Sequence, residues 1–285
     1  MSSENPIRHI SDTALWVARY RAMESERSDA LFYDPFARDL AGERGEQIAG
    51  ELSRFGMHSW PIVVRTQVMD ELILHAIEAD GYDTVLNLAA GLDTRPYRLT
   101  MPATLRWVEV DMPEVIEHKS RILKDATCFC RLERYALDLR DVEARRDMLQ
   151  KVGAAATRML VVTEGLLLYL DEEQVKDLAW DLYRQPAAKR WLTDLASPRL
   201  LKYLHRVRQQ LPPGTDFRFA PADHVDFFLS RSWHATAFHS TWDDAKRLNR
   251  REVRLGWLWD LLSWVIPGAR AQNRKMSGIA VLERP

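Results

Sequence analysis

Acidic side chains recur in one setting along the first two thirds of this sequence. Asp111 closes the apolar run 105–111, Asp138 follows the run 130–137, and Glu164 follows the run 159–163. A fourth run, 84–89, leads into a turn of small residues, Ala89-Ala90-Gly91. These residue types define what such a set could do. A turn without bulky side chains lets backbone approach a ligand closely. An acid after the second run accepts from a pair of ribose hydroxyls. An acid after the third meets the amino group of an adenine, and the aliphatic Leu139 beside it packs on the ring face. Glu164 is poorly hydrated after its apolar run, so its charge requires a cationic partner, either an arginine or a ligand amine. Arg65 falls in the mostly apolar run 60–68, where a purely solvated arginine is out of place.

Each of these residues also has a structural reading. Asp111-Met112-Pro113-Glu114 has the form of a capping box, and Asp138 could be a loop acid before a helix capped by Asp141. Asp171 with Gln174 is a capping pattern and is given no function. The turn at 89–91 has one glycine and lacks G-x-G-x-x-G, which argues against a pyrophosphate ligand. No histidine pair has metal-binding spacing, no metal site is expected, and no serine sits in G-x-S-x-G. Cys128 and Cys130, separated by Phe129, read as reduced thiols on one face of a strand, too close for an ordinary disulfide. They have no partner pair for zinc.

The elements that must position these residues follow from periodicity. Helical spacing marks 13–26 and 62–79, and Phe36 opens another helix after Asp34-Pro35. Five short apolar runs, 84–89, 105–111, 130–137, 159–163 and 190–196, are separated by amphipathic stretches at 113–124, 142–152 and 171–183. That alternation predicts a parallel sheet with helices on both faces, whose ligands bind beyond the carboxyl ends of the strands. Past 196 the rhythm breaks. A helix at 199–210, a Pro-Pro-Gly turn and a second helix near 223–229 precede two final strands at 233–241 and 277–282. Trp242, Trp257, Trp259 and Trp264 cluster between those strands, and 255–266 reads as a helix buried on the sheet or as a substrate-facing cap. The expectation is a single α/β domain over 1–285 with a doubly wound, mostly parallel seven-stranded sheet. Residues 1–60 form an N-terminal helical lid and 198–230 an inserted cap.

Forty basic residues balance forty-one acidic ones, a net charge of −1, so no global field favours nucleic acid or an anionic membrane. The run 255–266 is interrupted by Asp260 and is too short to span a bilayer, and no signal-peptide core is visible. A soluble, cytoplasmic protein is expected, and oligomeric state is not readable.

The motif Asn87-Leu88-Ala89-Ala90-Gly91-Leu92-Asp93-Thr94-Arg95 followed by Tyr97-Arg98-Leu99 resembles the leucine carboxyl methyltransferase family. So do Arg65-Thr66, Glu109-Val110-Asp111-Met112-Pro113 with Lys119, Leu137-Asp138-Leu139, and Thr163-Glu164-Gly165-Leu166-Leu167-Leu168-Tyr169-Leu170. The resemblance runs in order from 65 to 170. The segment 19–35 is similar to the bacterial branch, and the match is poor past 196. It implies a Rossmann-like class I methyltransferase with S-adenosyl-L-methionine as cofactor. Arg65 and Arg21 would meet the cofactor's carboxylate, Asp111 its ribose, Asp138 and Leu139 its adenine, and Glu164 its amino group. The turn from Ala89 to Gly91 would pass under its methionine portion. Where the family often has glycine, this chain has Ala89, which a negative φ would accommodate. No catalytic residue is singled out. The bacterial branch implies O-methylation of a small-molecule carboxylate or hydroxyl. A protein C-terminal carboxyl methyltransferase, an NAD-dependent oxidoreductase on the same architecture and a non-catalytic cofactor-binding protein remain open.

Overall fold

A computed structural model describes residues 10–54, 58–208, 217–250 and 269–285. Seven strands form one sheet: β1 Thr84–Leu88, β2 Arg106–Asp111, β3 Arg131–Ala136, β4 Met159–Thr163, β5 Ala188–Ala196, β6 His234–Ser240 and β7 Ser277–Glu283. Their spatial order is β3-β2-β1-β4-β5-β7-β6. β1 to β5 run parallel, and β7 is antiparallel to both β5 and β6. The sheet is thus the doubly wound, mostly parallel one that the alternating runs predict.

The central strands are mostly apolar because both faces are covered. Leu86, Val108 and Val161 point to one side, into a core with helices α6 (Val142–Ala154) and α7 (Glu172–Tyr183). Their neighbours Val85, Trp107, Leu160 and Val162 point to the other, against α3 (Trp60–Glu78). Successive side chains alternate faces, so a strand buried on both sides shows no polar period. The outer strands β3 and β6 are largely uncovered, and Arg131 and Glu133 keep β3 charged, which discourages pairing with another chain.

Before the sheet come α1 (Ile10–Ser25) and α2 (Ala37–Arg54). They pack closely: a Cβ added to Gly45 would lie 2.8 Å from the Leu15 carbonyl oxygen. The short α4 (Arg95–Arg98) follows β1 and α5 (Pro113–Ile122) follows β2. The segment between β5 and β6 holds α8 (Pro198–Arg208) and a 3-10 turn at His224–Arg231, where a second helix was expected. α9 (Thr241–Arg247) and α10 (Ala269–Arg274) lie between β6 and β7. The segment 255–266 with Trp257, Trp259 and Trp264 is outside the described residues.

Three local expectations are corrected. Cys128 and Cys130 precede β3 instead of lying on it, and the Cys128 thiol donates to the Cys130 carbonyl at 3.1 Å. Asp111 does not cap α5. β2 extends through Asp111, Met112 occupies the cap position, and no side chain caps that end. The third correction, the backbone at Ala89, belongs to the site. By contrast, Asp171 and Gln174 form the capping box that their spacing predicts, and Asp141 caps α6 by accepting from Ala144 N.

Candidate active site

β1 and β4 are adjacent, yet their following helices lie on opposite faces. A crevice opens where the connections diverge, beyond the carboxyl ends of the strands. A cavity of about 680 Å³ occupies this position. Arg21, Arg65, Ala89, Gly91, Asp111, Asp138, Leu139 and Glu164 all line it. Four strand tips and two helices bring together residues that are up to 143 positions apart in the chain, from Arg21 to Glu164.

The turn after β1 takes an unusual path. Ala89 has φ +53° and Gly91 φ +50°. The left-handed conformation is ordinary for Gly91 but strained for Ala89, contrary to the expected negative φ. The strain is held by what surrounds it. Gly91 N donates to Asp111 Oδ2 at 2.5 Å, and Ala90 N donates to the Val110 carbonyl at 3.1 Å. The turn is therefore fastened to the tip of β2. Asp111 also accepts from Met112 N at 2.7 Å. Burial pushes its carboxyl above the ordinary value, and the two backbone N–H groups do not fully offset it.

Asp138 and Leu139 form the floor near β3. Asp138 is partly exposed, and Arg140 folds back on it, with Nη2 2.6 Å from Oδ2. That hydrogen bond holds the Asp138 carboxyl below its ordinary value. The Leu139 carbonyl accepts from Arg145 Nη1 at 2.8 Å, which fixes the loop.

At the β4 tip an ionic lattice takes over. Glu164 accepts from Arg65 Nε at 3.0 Å and pairs with Arg95 Nη2 at 2.9 Å. Arg65 Nη1 donates to Asp194 Oδ2 at 2.9 Å, and Asp194 Oδ1 accepts from Gly165 N at 2.7 Å. Arg95 also pairs with Asp93 at 2.7 Å and with Asp70 at 2.6 Å, and Arg98 grips Asp70 with both Nη atoms. Burial alone would raise the Glu164 and Asp93 carboxyls, but the arginines beside them outweigh it and hold both ionised. Three guanidiniums thus face four carboxylates, and the members that line the cavity, Arg65, Arg95 and Arg98 with Asp93, Glu164 and Asp194, balance in charge.

Arg21 reaches in from α1. Its Nε donates to Asp34 at 2.9 Å and its Nη2 to the Leu92 carbonyl at 2.5 Å. It ties α1 to the loop after β1 and also borders the cavity.

Sequence reasoning did not single out Arg95, Asp93, Asp70 or Asp194 as site residues. Asp194 carried a signal close to that of Glu164, an acid in an apolar run instead of just after one. Asp70 lies beside Glu71 on α3, where it reads as one of two ordinary helix acids. Nothing in their spacing pairs them with arginines from other elements.

Comparison with known proteins agrees with this geometry. The sequence model of the family described as leucine carboxyl methyltransferase matches residues 14–182, more than half of the chain. The chain belongs to the leucine carboxyl methyltransferase family. A protein of Streptomyces coelicolor, provisionally named an S-adenosyl-L-methionine-dependent methyltransferase, is 36% identical over 242 residues, 79% of this chain and 83% of that protein. A similarly named protein of Mycobacterium tuberculosis is 32% identical over 255 residues, covering 80% and 78%. Among solved structures, a protein of Thermobifida fusca, provisionally described as a methyltransferase, superposes with TM-score 0.62 at 14% identity. The match covers 99% of this chain and 96% of that one. A DUF574 family protein of Streptomyces avermitilis gives TM-score 0.58, also at 14% identity, over 94% and 97%. These structures share the fold. This family member is an S-adenosyl-L-methionine-dependent methyltransferase with a Rossmann-like sheet.

The residues present suit that cofactor. The cavity volume lies in the range of about 300–1,000 Å³ usual for small-molecule sites. The glycine turn leaves room for close approach, and Asp111 faces the cavity as an acceptor. Asp111, Glu164 and Asp194 offer the cavity carboxylates for a sulfonium and an ammonium, and Arg21 and Arg65 offer it cations for a carboxylate.

Proposed function

We propose that this methyltransferase acts on an oxygen of a small molecule, with a carboxylate as the preferred acceptor. One observation carries the reading. The cavity wall includes Trp16, Ile62, Leu168, Tyr169, Leu204 and Phe217, and among the described residues no histidine lines the cavity. Tyr169 packs on Phe217 with ring centroids 5.3 Å apart. Burial pushes the Tyr169 phenol above its ordinary value, so it stays protonated at neutral pH and is a poor base. A carboxylate acceptor is already ionised and needs no base, whereas an alcohol does.

When bound, the cofactor supplies a methyl group already activated on a sulfonium. The protein's part is then to align the acceptor and to exclude water. In this reading Asp111 holds the ribose, Asp138 and Leu139 frame the adenine, and the turn from Ala89 to Gly91 runs beneath the methionine portion. Glu164 faces the cofactor's amino group, while Arg65 and Arg21 lie towards its carboxylate. Asp138 must then share its oxygens with Arg140, and Arg65 must keep its two acids while meeting a third. α1 supplies Thr13, Ala14, Trp16, Val17 and Arg21 to the wall and serves as the lid. The segment 198–230 contributes Leu204, Phe217 and Arg218 as the cap.

The test is transfer of labelled methyl to a panel of small carboxylic acids and phenols. Label released by mild alkali, as from an ester, is expected. Alkali-stable label on phenols would move the acceptor to a hydroxyl, and label only on protein C-termini would overturn the small-molecule reading. The Asp111→Ala variant should bind S-adenosylhomocysteine about 10–100-fold more weakly, the worth of hydrogen bonds to a charged group. Unchanged affinity in a folded variant would remove Asp111 from the site.

A further inference from the structure

The rim of the sheet continues past the Arg65–Asp194 pair. Beyond β4 the order runs to β5 and then β7. β7 is antiparallel, so its first residues, Ser277 and Gly278, pair with Ala196 and Leu195 at the tip of β5. Here lies a second cavity of about 150 Å³. Leu167, Leu195, Ala196, Leu200 and Phe219 form much of its wall. Ile62, Arg65, Leu168 and Asp194 line both cavities. Among the described residues, charge in the smaller one is confined to Arg65 and Asp194, which are already paired with each other, and Thr241 and Ser277 add hydroxyls. An enclosed engineered cavity of about this size, lined by leucine, isoleucine and phenylalanine, takes up a benzene ring, which sets the bulk that such a space holds.

We propose that this side pocket seats a compact hydrocarbon group of the methyl acceptor, about the bulk of a phenyl ring, and thereby selects among acceptors. The inference rests on reading the larger cavity as the methyl-transfer site. Along the rim, the nucleoside portion is assigned to β2 and β3 and the remainder of the cofactor to β1 and β4. The next space in the same direction is this pocket over β5 and β7. Ile62 and Leu168, common to both cavities, give an acceptor an apolar path between them. The bulk at Ala196 and Leu200 then sets which acceptors fit. Ala196 closes β5, and Leu200 is half-buried on α8. Larger side chains at these positions fill the pocket without removing core atoms.

The test uses toluene as the probe, observed by saturation-transfer NMR with full-length protein saturated with S-adenosylhomocysteine. The unsubstituted protein should bind toluene, and Ala196→Phe and Leu200→Trp should each weaken it at least tenfold while keeping their affinity for S-adenosylhomocysteine. No toluene binding to the unsubstituted protein overturns the inference and leaves the methyl-transfer reading intact. So does toluene binding undiminished in both variants. Failure of the unsubstituted protein to bind S-adenosylhomocysteine removes the methyl-transfer reading and this inference with it.

Discussion

At Ala89 the chain keeps a side chain where the backbone asks for none. A left-handed conformation costs an L-residue about 1–2 kcal/mol, and Ala89 sits at φ +53°. Glycine would relieve that strain but would have more freedom to lose on folding, by about 0.4–1 kcal/mol. Ala89→Gly is therefore expected to stabilise the protein by roughly 0.5–1 kcal/mol, raising Tm by about 1–4 °C in a circular-dichroism melt. A lower Tm would show that the methyl group contributes packing worth more than the strain. The motif around Ala89 was legible in sequence, but its φ was not. The sign of φ is imposed by Gly91 N reaching Asp111 and Ala90 N reaching Val110 across the β1–β2 gap. Glu164 divides in the same way. Its hydration deficit predicts a cation, whereas the partners, Arg65 and Arg95, come from α3 and α4.

Elements were legible where one period persists. α3, α6 and α7 and the strands β1, β2, β4 and β5 fall within a few residues of their expected positions because each buries a regular face or two apolar faces. The strand end at Asp111 was read correctly, but the alternative reading of that residue as a helix cap failed. β2 continues through Asp111 because two backbone N–H groups hold that carboxylate at the strand tip, so α5 begins without its cap. The lid also belongs to this scale. α1 lies over the turn after β1, and a Cβ added to Gly91 would meet the Ala14 methyl at 3.5 Å. A ligand gripped between them should suppress local opening of α1 more than that of the sheet. Amide exchange in residues 12–25 is expected to slow when S-adenosylhomocysteine binds, while exchange in β1 and β4 stays at its already slow rate. Equal slowing throughout would argue for global stabilisation and against a lid.

Across the whole molecule, buried and part-buried ion pairs join separate elements: Arg65 to Asp194, Arg95 to Asp70, and Lys119 with Arg134 to Glu109. Glu164 and Asp93 titrate below their ordinary values of 4.5 and 3.8. The stability they contribute is complete above those values and is lost as pH falls through their lower folded ones. Asp111 has the opposite sign, since its carboxyl is raised; its contribution is present below 3.8 and is lost as pH rises through its folded value. With more lowered groups than raised ones in the lattice, urea denaturation should show stability falling steeply on acidification below about pH 4.5, and Glu164→Gln should make that limb shallower. An unchanged acid limb would mean that the lattice contributes no pH-dependent stability. The sequence alone determined the layered architecture, the order of the central elements and the residues at the strand tips, because burial on two faces and turn chemistry are local properties. Only the tertiary structure decided which arginine meets which acid, the left-handed Ala89 and the second cavity beyond Asp194. Those depend on the spatial order of strands, which sets side by side residues that no sequence spacing relates.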